Sequence, residues 1–371
     1  MKVPMMELTE QYEQLQDEIL GAIARVMKKG QFILGEEVRQ LERDVAAYCR
    51  VPYGVGVASG SDALHISLLA CGVGEGDEVI VPAFTFFATA GAVARCGARP
   101  VFVDIDPRTY NIDAGKIEEV VTSRTKAIIP VHLYGQCADM DPILDIASRH
   151  SLAVIEDAAQ AIGARYKGRS VGESGTTACL SFFPTKNLGA YGDGGMIVCR
   201  DGELAEKMRV LRAHGSKPKY YHHVLGYNSR LDELQAAILN VKLKYLDQWA
   251  DARRNVALAY TERLERLGEF ITVPHIEPQN EHVFHQYTIR AKNRDRLKQY
   301  LKERGVDTMV YYPKPLHLQP VFAELGYKPG DLPETERACE EVLSLPMYPE
   351  LDEARIDYVA ETIARFYSEE T

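Results

Sequence analysis

The sequence predicts an α/β fold, with a mostly parallel sheet in a large domain and a smaller α/β domain after it. Three observations lead there. Short β-branched runs recur at regular intervals through the first two hundred residues, and amphipathic stretches separate the earlier ones. These runs are apolar through their middles instead of alternating in polarity, which marks strands covered on both faces. The chain has 371 residues and is 46% hydrophobic, so it can bury a full core and is long for one compact unit. Residues 1–245 are expected to form an N-terminal helical arm and the large domain, and residues 246–371 a linking helix and the small C-terminal domain.

The elements follow in order. A helical arm spans roughly 7–29 and 36–49, broken at Gly30 and Gly35 with Gln31-Phe-Ile-Leu between them. Strands are expected at 55–58, 78–81, 100–104, 127–131, 152–155, 178–182 and 196–199, with helices at 62–70 and 139–150. The segment 226–230 introduces a long helix with Ser229 as N-cap and Asp232 as its capping-box partner, and Leu231, Leu234, Ile238 and Val241 lie along one face. Beyond it come a strand near 286–290, a helix over 294–304, a strand near 308–312 and a final helix over 354–367.

Composition narrows the function. A formal net charge of −10 and a pI near 5.6 disfavour general affinity for nucleic acid or anionic membrane, both of which need a basic face. The seven cysteines are spread singly without Cys-x-x-Cys spacing, so reduced core thiols are expected rather than disulfides or a zinc site. The histidines have no metal spacing. The start, Met1-Lys2-Val3-Pro4-Met5, has no apolar leader and no uncharged run reaches membrane-spanning length, so a cytoplasmic protein is expected.

The chemistry concentrates between residues 155 and 195. Asp157 follows the apolar run Leu152-Ala-Val-Ile155, which places a carboxylate at the end of a buried strand. Lys186 sits among Phe182, Phe183, Pro184 and a glycine-rich turn, where desolvation lowers an amine's pKa and frees it as nucleophile and proton carrier. A carboxylate, an isolated amine and tight glycine turns are what pyridoxal phosphate needs: a partner for its ring nitrogen, an amine for its aldehyde, and close backbone approach. The Gly60-Ser61-Asp62 turn after a strand offers free amides and a helix N-terminus to a phosphate, and Ser181 a hydroxyl. Phe84, Phe86 and Phe87 follow a strand end; core packing is expected for two of them, and stacking on a planar cofactor for the third. Residues 217–223 and 227–230 gather cations, histidines and tyrosines, the kind of patch that a diphosphate-bearing substrate would want. Tyr311-Tyr312-Pro313-Lys314-Pro315-Leu316-His317 reads as a proline-set turn. His-Glu-x-x-His, a Walker loop, a nucleophile elbow and a dinucleotide fingerprint are all missing.

Taken together, Gly60-Ser-Asp-Ala-Leu, Pro82-Ala-Phe-Thr-Phe, Glu156-Asp-Ala-Ala-Gln160, Ser181-Phe-Phe-Pro-Thr-Lys186, Gly192-Asp-Gly-Gly195 and Gly226-Tyr-Asn-Ser-Arg-Leu-Asp232 resemble the DegT/StrS family of sugar aminotransferases. The resemblance implies a fold-type I, pyridoxal-phosphate-dependent homodimer with shared active sites, acting on an amino-acid donor and a nucleotide-linked keto sugar. By that likeness Lys186 is the Schiff-base lysine, Asp157 the acid beside the ring nitrogen, and Gln160 the partner of the phenolic oxygen. Gly60, Ser61, Asp62 and Ser181 fall on phosphate-binding positions, Phe86 on the stacking aromatic, and Asn228 on the residue that reaches the partner's cofactor phosphate. Arg230, Tyr312 and His317 are implied substrate contacts. Lys186 sets the chain apart from the family's dehydratase branch, which carries histidine there. The 214–230 segment is most similar to enzymes that aminate carbon 3, with carbon 4 as the alternative. A non-catalytic regulator on the same fold, or a transaminase restricted to amino acids, are the rival readings.

Overall fold

All seven apolar runs become strands of one sheet in the computed structural model, which describes residues 1–370. They are β1 (Tyr53–Val57), β2 (Glu78–Pro82), β3 (Arg99–Val103), β4 (Thr125–Ile128), β5 (Ala153–Asp157), β6 (Thr177–Ser181) and β7 (Gly195–Cys199), in the spatial order β1-β7-β6-β5-β4-β2-β3. Neighbours from β3 through β6 pair in parallel, and β7 runs antiparallel to both β6 and β1. Six strands therefore share one direction, and their carboxyl ends reach one edge.

Successive strand residues feed opposite faces, so both faces need apolar cover. On one side Ile80, Ile128, Val154, Leu180 and Val198 pack with helices α2 (Glu36–Tyr48), α5 (Met140–His150) and α7 (Glu233–Lys242). On the other, Val79, Val81, Ile155, Cys179 and Ile197 pack with α3 (Gly60–Ala70), α4 (Ala88–Arg95) and α6 (Gly202–Arg212). The α/β class read from unbroken apolar runs holds for this reason. Helix α1 (Thr9–Lys29) lays Leu15, Ile19 and Val26 on Ile238 and Val241 of α7.

A second, antiparallel sheet of β8 (Ile271–Thr272), β9 (Tyr287–Ala291) and β10 (Val342–Leu345) has its own buried cluster. Helices α8 (Leu246–Leu264), α9 (Arg294–Glu303) and α11 (Glu353–Glu370) cover it, and α10 (Pro333–Glu341) leads into β10. No helix among the described residues is long and apolar enough to cross a membrane. The cysteines are unpaired, five buried and Cys71 and Cys96 half-buried.

Two local expectations are corrected. Ser229 does not cap the helix after it: α7 starts at Glu233 with Asp232 at its N-cap. The Ser229 hydroxyl instead donates to Asp62 at 2.7 Å and accepts from the Ala58 amide at 3.3 Å, tying this loop to the end of β1. Residues 308–312 are not a strand. Met309 alone exchanges backbone bonds with Ser344 before the chain turns away, since Pro313 and Pro315 have no N–H to extend a ladder.

Candidate active site

The carboxyl ends of β1, β2, β5 and β6 open into a cavity of ≈ 340 Å³, closed on the far side by Tyr311, Tyr312, His285 and Gln286. Strand ends of a parallel sheet are where this architecture leaves room for a ligand. Gly60, Ser61, Phe86, Asp157, Gln160, Ser181, Lys186 and Tyr312 all line it, so eight of the residues singled out from the sequence meet here.

Asp157 ends β5, held by its backbone N–H on the Pro130 carbonyl and its carbonyl on the His132 amide. The side chain is only 5% exposed. Its carboxylate accepts from the Thr89 hydroxyl at 2.8 Å and the Ala159 amide at 3.2 Å, neither of them a cation. Burial pushes its pKa up, opposed by Thr89, Ala159 and the nearby charges of Lys186 and His132. Lys186 follows β6 in a short loop where its amide bonds the Phe183 carbonyl. Burial lowers its amine to about 8, partly offset by Asp157. For both groups desolvation is the largest effect and outweighs their mutual attraction.

The next residue fixes that loop. Asn187 donates to the Val283 carbonyl at 3.0 Å and lies 3.2 Å from Nδ1 of His285, whose pKa burial holds far below its ordinary value. Gln160 is clamped as well: its side-chain oxygen accepts from the Tyr134 amide at 2.7 Å, and its Nε2 donates to the Tyr312 hydroxyl at 3.1 Å. The Tyr134 hydroxyl in turn donates to the Tyr311 carbonyl.

At the other wall, Ser59 caps α3 by accepting from the Asp62 amide at 3.1 Å. Gly60 and Ser61 then occupy the first turn, where helix amides have no intrahelical acceptor. A Cβ on Gly60 would lie 2.7 Å from Cβ of Ser181, and one on Gly195 2.4 Å from the Ser59 backbone, so only glycine permits this approach of helix to strand. Of the three phenylalanines, Phe84 is buried, Phe86 is 56% exposed on the cavity wall, and Phe87 stacks on Phe322 while still partly exposed. Core packing thus accounts for one ring rather than two.

Four predicted residues do not line the cavity of the single chain. Asp62 faces Ser229 and pairs with Arg95 at 3.7 Å. Asn228 is exposed, its backbone bridged to Ala213, and Arg230 is half-buried. His317 is fully buried, with Nε2 at 3.2 Å from Glu336. Thr89, Tyr134, Asn187 and His285 were not singled out from the sequence. Thr89 and Asn187 lie inside or beside motifs that were read, and position alone could have found them. Tyr134 and His285 carry no local signal.

This set fits pyridoxal phosphate. Asp157 is a buried carboxyl that lacks a cationic hydrogen-bond donor, which a protonated ring nitrogen would supply. The glycine-spaced turn and Ser181 form a cradle with uncommitted amides, Phe86 offers an aromatic face, and Lys186 is the one lysine on the lining.

Residues 13–364 match the DegT/DnrJ/EryC1/StrS aminotransferase family. The chain is 64% identical over 368 residues to a "pleiotropic regulatory protein" of Geobacillus stearothermophilus, covering 99% of both chains. It is 50% identical over 363 residues to a UDP-N-acetyl-3-dehydro-alpha-D-glucosamine 3-aminotransferase of Acidithiobacillus ferrooxidans, covering 98% of this chain and 97% of the relative. Its fold superposes with a TM-score of 0.96 on the crystal structure of S. venezuelae DesV in complex with a ketimine intermediate, at 44% identity and 98% coverage of each.

Proposed function

Since the chain belongs to the DegT/DnrJ/EryC1/StrS aminotransferase family, we propose that it moves an amino group from an amino acid, L-glutamate by preference, to carbon 3 of a nucleotide-linked keto sugar. The observation that carries this reading is the meeting of Lys186 and Asp157 in one cavity beside the glycine cradle, each with its pKa shifted by burial. Similarity to the Acidithiobacillus 3-aminotransferase supports carbon 3 over carbon 4.

Bound pyridoxal phosphate supplies an aldehyde to which amines add and a ring that withdraws electrons from the adjacent carbon. The chain's residues divide the remaining work. Asp157 holds a proton on the ring nitrogen by charge and hydrogen bond. Lys186 Nζ, neutral for much of its time near pH 8, would take the proton from the donor's α-carbon and hand it to the cofactor's aldehyde carbon, and would run that transfer in the opposite sense, onto the sugar carbon, in the second half of the cycle. Gln160, fixed by Tyr134 and Tyr312, presents its amide to the phenolic oxygen. Gly60, Ser61 and Ser181 hold the phosphate, and Phe86 covers the ring face. Asn228, exposed on a loop outside the cavity, contributes from a partner copy in a homodimer, and Asp62 keeps that loop in place through Ser229. Arg230, Tyr312 and His317 serve the sugar nucleotide, His317 from behind the lining. We read residues 1–245 as the cofactor-holding unit, 246–371 as the smaller one, and the cytoplasm as the enzyme's place.

Incubation with glutamate and a panel of nucleotide-linked 3-keto and 4-keto sugars should release 2-oxoglutarate with the 3-keto compounds. Release with none of them, or only with amino-acid acceptors, would overturn the assignment. The regulatory name of the Geobacillus relative makes a non-catalytic role the competing reading. Colour separates the two: an enzyme should turn yellow with pyridoxal phosphate and lose the colour to borohydride, whereas a protein that stays colourless is the regulator.

Two further expectations follow from the geometry. Only the neutral amine attacks an aldehyde, so the rate at which Lys186 captures pyridoxal phosphate should rise with pH and level off above about 8. Stopped-flow absorbance on the apoenzyme reads this directly, and a rise continuing toward the ordinary lysine range would mean an amine in open water. Thr89→Val removes the hydroxyl that steadies Asp157 without changing side-chain shape, and kcat should fall by about tenfold, the worth of one hydrogen bond to a charged group. An unchanged kcat would mean that Asp157 is oriented by its backbone alone.

A further inference from the structure

At the β1 edge of the central sheet, a groove of ≈ 400 Å³ runs between α2, the start of β1 and α6. Its lining holds Arg39, Arg43, Arg209 and Arg212, with Glu42 as the one carboxylate among them. Four guanidinium groups around one concavity are unexpected in a chain whose net charge is −10.

Arg212 is the part of this arrangement that a solvated surface does not explain. It is 6% exposed, yet its Nε has no hydrogen-bond partner. Its Nη1 is committed to Glu42 and to the Gly56 carbonyl at 2.6 Å, while Glu42 accepts from the Gly56 amide at 2.8 Å. β1 is an edge strand, and this ion pair satisfies the groups of Gly56 that no neighbouring strand reaches. The other three arginines are lightly engaged. Arg39 and Arg43 share the single carboxylate of Glu36, and Arg209 meets Glu206 at 3.5 Å on its own helix.

We propose that this groove binds a phosphate-type dianion or diphosphate, at a site separate from the cavity. Tetrahedral oxyanions accept forked bonds from several guanidinium groups at once, and Arg39, Arg43 and Arg209 keep N–H groups beyond those their carboxylate partners use. The site is wired to the cofactor cradle over a short path: Arg212 and Glu42 grip Gly56, two residues before Ala58, and the Arg212 carbonyl accepts from the Ser229 amide at 3.0 Å.

The test uses holoenzyme saturated with pyridoxal phosphate, titrated calorimetrically with inorganic pyrophosphate at fixed ionic strength, against the variant R39A/R43A/R209A. Arg39 and Arg43 are exposed and Arg209 half-buried, and all three lie outside the cavity, so the variant should fold and bind cofactor as before. The parent should take up pyrophosphate with saturable stoichiometry, and the variant should bind about tenfold or more weakly. Equal affinities would overturn the proposal, as would a variant that changes oligomeric mass in light scattering, because the groove would then be a subunit contact. UDP identifies the source of the group: a variant that loses one UDP site as well shows that a nucleotide diphosphate is accepted, and one that keeps its UDP stoichiometry shows that the free oxyanion is the ligand.

Discussion

Lys186→Ala is expected to remove turnover altogether, a loss of roughly 10⁴-fold or more, while the protein still binds pyridoxal phosphate without a covalent link. The size follows from two duties resting on one atom. Nζ is the lining's only lysine amine, and the proposed mechanism also asks it to carry the proton to and from the reacting carbon. The change should not harm the fold. Burial has already lowered this amine to about 8, which means that charging it inside the protein is unfavourable, and alanine relieves that penalty while opening space toward an existing cavity. Loss of activity with normal thermal stability and a cofactor that dialyses away after borohydride treatment is the expected combination. A variant with ordinary turnover would end the mechanism.

The elements that surround this lysine were legible because of how they are buried. A strand covered on both faces is apolar through its middle, and all seven such runs of the large sheet could be read from the sequence pattern. Lys186 and Asp157 were visible as polar residues at the ends of those runs. What sequence could not show were residues whose role is set by a distant partner. Ser229 has the form of an N-cap, but its hydroxyl goes to Asp62 and its helix begins four residues later, because the tertiary contact outcompeted the local one. Residues 308–312 have strand composition, but Tyr311 and Tyr312 serve as a cavity wall, with Tyr311 held by Tyr134 from the segment after β4. His285 is placed by Asn187, ninety-eight positions away, and nothing near it in the chain announces that.

Asp157→Asn should cost activity on the order of 10³-fold and leave the fold intact. The carboxamide has nearly the same shape and its oxygen can still accept from Thr89 or Ala159, so packing and one of the present hydrogen bonds survive. What disappears is the negative charge. A buried carboxylate favours the protonated ring nitrogen by several pKa units, each unit worth about 1.4 kcal/mol, and a neutral amide forfeits that preference. The environment sharpens the contrast. Burial already raises the Asp157 pKa, so the free carboxylate is poorly stabilised by its surroundings and gains strongly from a cationic partner. The loss should therefore appear in kcat rather than in affinity for the phosphate end of the cofactor, which on the proposed reading Gly60, Ser61 and Ser181 would hold. The deficit of this variant should also exceed that of Thr89→Val by about a hundredfold, since the threonine only steadies the charge that the asparagine removes. Comparable deficits in the two variants would show that orientation of residue 157, and not its charge, is what the reaction uses.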